Sequence, residues 1–350
     1  MKMSYIKLLL AAVLLGTIPG ALRAQLSDPV QKPVFGARMP ALSPDGKRIA
    51  FVYRGDVWTA RAKGGRAVPL TQHVELDAHP RFSPDGKWIS FSSRRHGNWD
   101  IFVAPSDGGS PQRITRHAGT DIAYGWSPDG KELVFGSKRD SPNYQLFAID
   151  VKTLRLREIT EDYARMNHAS FSPDGDKIVY GRYGFPWTRP RYTGSAAEQV
   201  WIYDLERSLR YPIPRDERQH LWTQFMPDGK RLLTVTTGEG APSSHGLNET
   251  PPKLVDEPIN TPNLWMLDFE GGAKQVTRFS GWAVRWPTVA AKSGDIAFEY
   301  SGNLWRTTSS GRKPKKLTFF AATDEKKTNR HYDKLTSGVV EAEPSPDGKT

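Results

Sequence analysis

The sequence predicts an all-β chain: a six-bladed β-propeller of four-stranded blades. Three observations predict it. The tetrapeptide Ser-Pro-Asp-Gly recurs at Ser43, Ser83, Ser127 and Ser172, with Met-Pro-Asp-Gly at Met226, and an alternating strand follows each copy. The turn prolines Pro44, Pro84, Pro128, Pro173 and Pro227 lie 40, 44, 45 and 54 residues apart. Units of this length with four strands each pack radially as propeller blades. The third observation is a pair of later landmarks in each unit. One is an aromatic strand, as in "NWDIF" at Asn98 or "NLW" at Asn303. The other is a strand ending in Leu, Ile or Val followed by Thr, as in Ile114-Thr115 and Leu317-Thr318.

The elements follow in chain order. Residues 1–24 have Lys2 and Lys7 ahead of an apolar run from Leu8 to Leu15, then Pro19, Gly20 and a small residue, Ala24. This is the pattern of a secretory signal peptide, too short to span a membrane. It implies export to a periplasmic or extracellular compartment. Residues 25–38 lead into the first blade. The turn chemistry then repeats. Proline presets φ, aspartate bonds its own backbone, and glycine accepts positive φ, which suits a three-residue hairpin with a bulge. Strand two alternates, as in Trp88-Ile89-Ser90-Phe91, so one face is buried.

Pro227 and Pro346 are 119 residues apart, and a degenerate copy lies between them. "RWPTVAAKSGDIAF" (Arg285 to Phe298) overlays "HPRFSPDGKWISF" (His79 to Phe91), with Ala291 in place of the turn proline. The propeller is therefore expected over 39–318, a linker over 319–338, and the first strand and turn of a further blade over 339–350. That turn opens either a second propeller or a truncated seventh blade. Two Pro- and Gly-rich insertions, Tyr183 to Ala197 and Gly238 to Thr261, separate strands two and three of units 4 and 5, on one rim.

Composition narrows the function. Charged residues make up 25% and hydrophobic residues 37%, as in a soluble globular protein. The net charge of +11 is spread among acids, and the densest basic run, "GRKPKK" at Gly311, is short. No nucleic-acid motif accompanies it. With no cysteine there are no disulfides, thiolate nucleophiles or thiolate metal ligands. No G-x-S-x-G elbow and no H-E-x-x-H spacing occurs, so neither a catalytic residue, a metal site nor a cofactor is expected. Ser243-Ser244-His245 sits in an insertion that would hold a nucleophile poorly. His79 and His168 share one repeat position, four residues before Ser83 and Ser172, and Trp222 and Trp286 fill it in units 5 and 6. That position begins the innermost strand. The four are read as channel-lining residues near one mouth, suited either to packing the rim or to touching a peptide.

The Ser-Pro-Asp-Gly units resemble the propeller repeats of TolB and its relatives. Their order resembles more specifically the first propeller of tricorn-type proteases. The resemblance rests on "ARMPALSPDGKRIAFVYRGDVWTARAKGGRAVPLT", on "GWSPDGKELVFGSKRD", on "VRWPTVAAKSGDIAFEYSGNLWRTTSSGRKPKKLT", and on the restart "GVVEAEPSPDGKT". It spans roughly residues 35–350. In that family a six-bladed propeller precedes a seven-bladed one, a PDZ-like domain and a serine protease domain. The resemblance thus implies a non-catalytic scaffold and peptide channel, contacts to downstream domains, peptide or unfolded-protein substrates, and a parent serine peptidase. Self-association is left open. The resemblance also places Arg116-His117 where the family carries a basic pair that anchors a peptide carboxylate, although Arg-His departs from the paired arginines. Two other readings stand beside it. One is a TolB-like periplasmic binding propeller; the other is the propeller of a prolyl-oligopeptidase-like hydrolase.

Overall fold

The computed structural model describes residues 29–184, 192–213, 218–238, 261–270, 272–311 and 313–323. The leader, most of both insertions, Ser243-Ser244-His245 and the stretch 324–350 lie outside the described residues. Six sheets of antiparallel four-stranded blades follow in chain order. Blade 1 runs from the strand Arg38–Leu42 to Gly65–Pro69, and blade 2 from Asp77–Phe82 to Gln112–Arg113. Blade 3 runs from Asp121–Trp126 to Leu156–Glu158, and blade 4 from Met166–Phe171 to Leu209–Pro212. Blade 5 runs from Leu221–Phe225 to Ala273–Gln275, and blade 6 from Arg285–Val289 to Lys315–Lys316. The first strand of each blade is innermost.

Each recurrent landmark has a local physical cause. Between the inner strand and the second strand the loop is four residues, Pro44–Lys47 in blade 1. This is one residue longer than the hairpin expected from sequence. The Ser43 carbonyl accepts from Gly46 N (2.8 Å), so it is unavailable to the ladder. The Ser43 hydroxyl replaces it, accepting from Arg48 N (2.9 Å) and donating to Asp45 Oδ1 (2.6 Å). The same arrangement holds at Ser83, Ser127 and Ser172. These hydrogen bonds hold the Asp45 carboxyl below the usual range, and the Asp129 carboxyl, bonded by Ser127 and Lys131, falls to about 2. The threonine that ends a unit caps its neighbouring strand. Thr71, Thr115, Thr160 and Thr277 accept through Oγ1 from the amides of Val57, Ile101, Leu146 and Leu264 at 2.9 to 3.0 Å.

The core lies between blades. Because side chains alternate along a strand, neighbours on the second strand face opposite ways. Leu133 joins the cluster shared by blades 2 and 3, and Val134 the one shared by blades 3 and 4. Six such clusters fill the six interfaces.

The ring closes without exchanging a strand inside a blade. The first residues of the stretch read from sequence as linker form a strand, Phe319–Ala321. It runs parallel to the outermost strand of blade 1, with Phe319 opposite Gly65 and Ala321 opposite Ala67. The strand Lys32–Pro33 pairs with its other edge. Blade 1 therefore carries six strands. Phe319, 2% exposed, sits in the core between blades 6 and 1, its ring 4.8 Å from that of Phe51. Gly64 must be glycine here. Its φ is +99°, and a Cβ would lie 2.6 Å from the Thr318 carbonyl oxygen. At the inner rim of the same seam, the amides of Lys292 and Ser293 both donate to the Pro44 carbonyl (2.9 and 3.1 Å). The atypical turn of blade 6, which carries Ala291 where its fellows carry proline, thus tucks onto the turn of blade 1.

Candidate functional site

Five of the six inner strands break their ladder at the same place. The register shifts between Arg38 and Ala41, Ala78 and Arg81, Asn167 and Ser170, Leu221 and Gln224, and Arg285 and Thr288. The first bulged residue in each has positive φ: Met39 51°, His79 55°, His168 46°, Trp222 54° and Trp286 47°. Such a φ in a bulky residue costs on the order of 1–3 kcal/mol and persists only where the surroundings impose it.

The bulge brings together the four residues singled out from sequence. Ring centroids lie 5.3 Å apart for His79–Trp286 and for Trp222–Trp286, 5.7 Å for His168–Trp286, and 5.8 Å for His168–Trp222. These residues belong to blades 2, 4, 5 and 6, so the rings meet across the axis in one cluster, a plug of aromatic side chains. Sequence reasoning missed a fifth member. Blade 3 has Ala123 at the histidine position, but its bulge falls one residue later, and Tyr124 reaches within 5.8 Å of His168. Burial together with Arg81, His168 and Arg38 pushes the pKa of His79 down to about 3, so it is neutral at ordinary pH. Burial pushes the Tyr124 hydroxyl up.

Beyond the plug, toward the Ser-Pro-Asp-Gly rim, lies a cavity of about 320 Å³. The five turn prolines and Ala291 ring its mouth, and Phe82, Trp126, Phe171 and Phe225 stand in its walls. His168 and Trp222 form its floor. Besides the Tyr124, His168 and tryptophan rings, its polar groups are Arg81, Ser170, Ser172, Gln224, Thr288 and Lys292, with no carboxylate among the lining residues. Neither serine is poised as a nucleophile. Ser170 donates to the Phe171 carbonyl (3.2 Å), and Ser172 donates to Asp174. Among the described residues no cluster of three or more His, Asp or Glu is placed to hold a metal.

Arg116 and His117 lie elsewhere. They are exposed, in the connection from Gln112–Arg113 to Asp121–Trp126, which topology puts on the rim opposite the turns. His117 is fixed locally, its Nδ1 accepting from Gly119 N (2.9 Å) and its carbonyl from Asn98 Nδ2 (2.7 Å). The pair is not brought to the plug or the cavity.

With this geometry in place, comparison with known proteins is informative. The family model described as the tricorn protease N-terminal beta propeller domain matches residues 37–294. The chain belongs to that family. Among curated relatives, the Tricorn protease homolog 1 of Streptomyces coelicolor is 37% identical over 68 residues, 19% of this chain and 6% of the relative. The match thus covers a small part of that protein's length. The crystal structure of the tricorn protease superposes with a TM-score of 0.64 at 19% identity, covering 81% of this chain and 26% of that one. TolB from Acinetobacter baumannii gives 0.60 at 18%, covering 80% and 66%. At these identities the structures share the fold. In this tricorn-type N-terminal propeller, the motifs legible in the sequence and the axial site are parts of one architecture. No helix among the described residues is long and apolar enough to cross a membrane.

Proposed function

We propose that this propeller is the non-catalytic, peptide-handling part of an exported tricorn-like serine protease. Hydrolysis takes place in a domain beyond it, and the axial channel is the route or holding place for peptides. The observation that carries this reading is family membership combined with the built axial site. Strained aromatic bulges are aimed at the axis from four blades, and a largely apolar cavity opens beside them. Channel packing alone does not call for five bulky residues at positive φ. On this reading the plug is the narrow point of the route, and passage requires the Trp286 ring to swing aside. The leader motif supports export.

The test has two arms. Purified residues 25–350 are assayed against a mixed peptide library, and turnover by that fragment would end the proposal. In the longer parent protein, Trp286→Ala is expected to raise the rate on long peptides several-fold and leave dipeptide-length substrates unchanged. Equal effects on both lengths would remove the channel from the route.

A further inference from the structure

We propose that the axial cavity is a carboxylate site, in which Arg81 holds the acid group of a ligand whose body is aromatic or branched aliphatic. The nearest source of such a group is the C-terminus of a peptide with an apolar last residue; a free aromatic acid is the other. The peptide form rests on the peptide-handling reading above, whereas the carboxylate site itself does not.

Arg81 differs from five other half-buried arginines of the propeller. Arg95, Arg113, Arg139, Arg182 and Arg306 each pair with a carboxylate: Asp77, Asp100, Asp121, Asp162 and Asp295, at 2.7 to 3.1 Å. Arg81 has neutral partners. Its Nε donates to the Tyr124 carbonyl and its Nη1 to the Pro80 carbonyl, both at 2.8 Å. These bonds use two of the five donors of a guanidinium. They fix its plane while leaving Nη2 uncommitted. The cavity wall it occupies offers no countercharge, and burial weakens its hold on the proton. A half-buried cation that has carbonyl partners but no countercharge is costly to hold, and a ligand carboxylate accepting from the guanidinium edge relieves that cost.

Three further features fit the same ligand. The walls are aromatic and proline surfaces that remove apolar area from water. On the floor, Trp222 is 4% exposed and its Nε1 has no acceptor. At the mouth, the five regular turns place an aspartate second after the serine or methionine, whereas blade 6 places Lys292 there, exposed. A positive group thus stands both at the entrance and inside. The size, about 320 Å³, is at the lower end of small-molecule sites, which suits a terminal residue rather than a long segment.

The competing account is purely structural. Pro80 and Tyr124 lie in the bulges of blades 2 and 3, where the ladder is broken, and Arg81 satisfies carbonyls freed there. That account predicts no discrimination between an acid and its amide.

The experiment uses the chain described here and follows the intrinsic fluorescence of Trp126 and Trp222 in the cavity. Ac-Ala-Ala-Phe and 3-phenylpropionate are titrated, each against its primary amide. The expected result is saturable binding of at least one acid, with its amide at least about tenfold weaker, and affinity that falls as salt is raised. Whichever acid binds more tightly identifies the source. Arg81→Gln is expected to abolish the preference for the acid. Because that variant also loses its bonds to two carbonyls, Ser170→Phe serves as a second test. It fills the cavity without touching those bonds, and is expected to abolish binding with an unchanged thermal midpoint. Equal affinity for acid and amide in the wild-type chain, or no binding of either acid at millimolar concentration, overturns the proposal. Failure of the protease reading would appear instead as absent proteolysis by the parent, with the acid-over-amide preference intact.

Discussion

Replacing Phe319 by alanine tests whether the short strand Phe319–Ala321 is what closes the ring. Phe319 is 2% exposed, and it packs with Phe51, Ala67 and Leu317 in the cluster shared by blades 6 and 1. Its neighbour Phe320 is 39% exposed and points away from that core. Truncating a buried phenylalanine costs about 3–5 kcal/mol, from lost transfer energy and the cavity left behind. A surface substitution usually stays within about 0.5 kcal/mol. The strand also makes main-chain bonds to the seam, Gly65 N to Thr318 O (2.9 Å) and Val34 N to Phe319 O (2.9 Å), which the mutation leaves in place. The loss expected for Phe319→Ala is therefore about 3–5 kcal/mol, and for Phe320→Ala about a tenth of that. Urea unfolding followed by tryptophan fluorescence and by far-ultraviolet circular dichroism reads both. The reasoning is refuted if the two variants lose similar stability. It is equally refuted if Phe319→Ala unfolds with wild-type midpoint, since the seam would then be held by side chains elsewhere.

Three further outcomes are expected. Thr160→Val keeps the shape of a strand-capping residue but leaves the Leu146 amide without its acceptor, so it should cost about 1–3 kcal/mol in urea unfolding; a neutral result would make the terminal threonine a matter of β-propensity alone. Ser127→Ala should cost about 0.5–1.5 kcal/mol at pH 7. The contribution tied to Asp129 is present above the ordinary carboxylate value and is lost as pH falls through about 2, so the penalty should shrink there; a penalty that does not shrink in acid would mean that the carboxylate is not involved. His79→Phe should flatten the acid limb of the stability profile. The folded pKa of about 3 lies below the ordinary 6.5, so between those values the unfolded chain takes up a proton that the native chain refuses. Native stability then falls with falling pH, by at most about 1.4 kcal/mol per unit. Unfolding free energies at pH 7 and pH 5 for both proteins check this, and an identical slope would show that the imidazole does not titrate against the fold.

The blades were legible in the sequence because each landmark is a local solution repeated with little variation. Proline, aspartate and glycine specify the turn, and the alternation of strand two specifies which side chains enter which interface. Even the blade that lost its proline could be aligned through Ile296 and Phe298. The four axial rings were legible as a shared repeat position. What the sequence hid depends on backbone geometry rather than residue type. Tyr124 reaches the His168 ring because the blade 3 bulge falls one residue later, and nothing in "DIAYGW" marks that shift. Arg81 reads as an ordinary polar residue on an alternating strand until its neighbours prove to be carbonyls and aromatic rings instead of an aspartate. Phe319–Ala321 was hidden for another reason. Three residues carry no periodicity, and their partner, Gly65 to Ala67, lies more than 250 positions away.

The way the seam is made has a consequence for how the molecule is assembled. Every blade is one continuous stretch of chain, so each can form its four strands as it emerges into the compartment where the protein folds, and five of the six interfaces mature in order behind it. Blade 1 must wait longest, with one flank uncovered until blade 6 arrives and its outer edge uncovered until residues 319–321 follow. An uncovered edge strand is a template for pairing with another chain. A nascent chain stalled before Thr318 is therefore expected to aggregate or recruit a chaperone, while one extended past Ala321 is not, and release assays on chains truncated at 316 and at 323 would separate the two states.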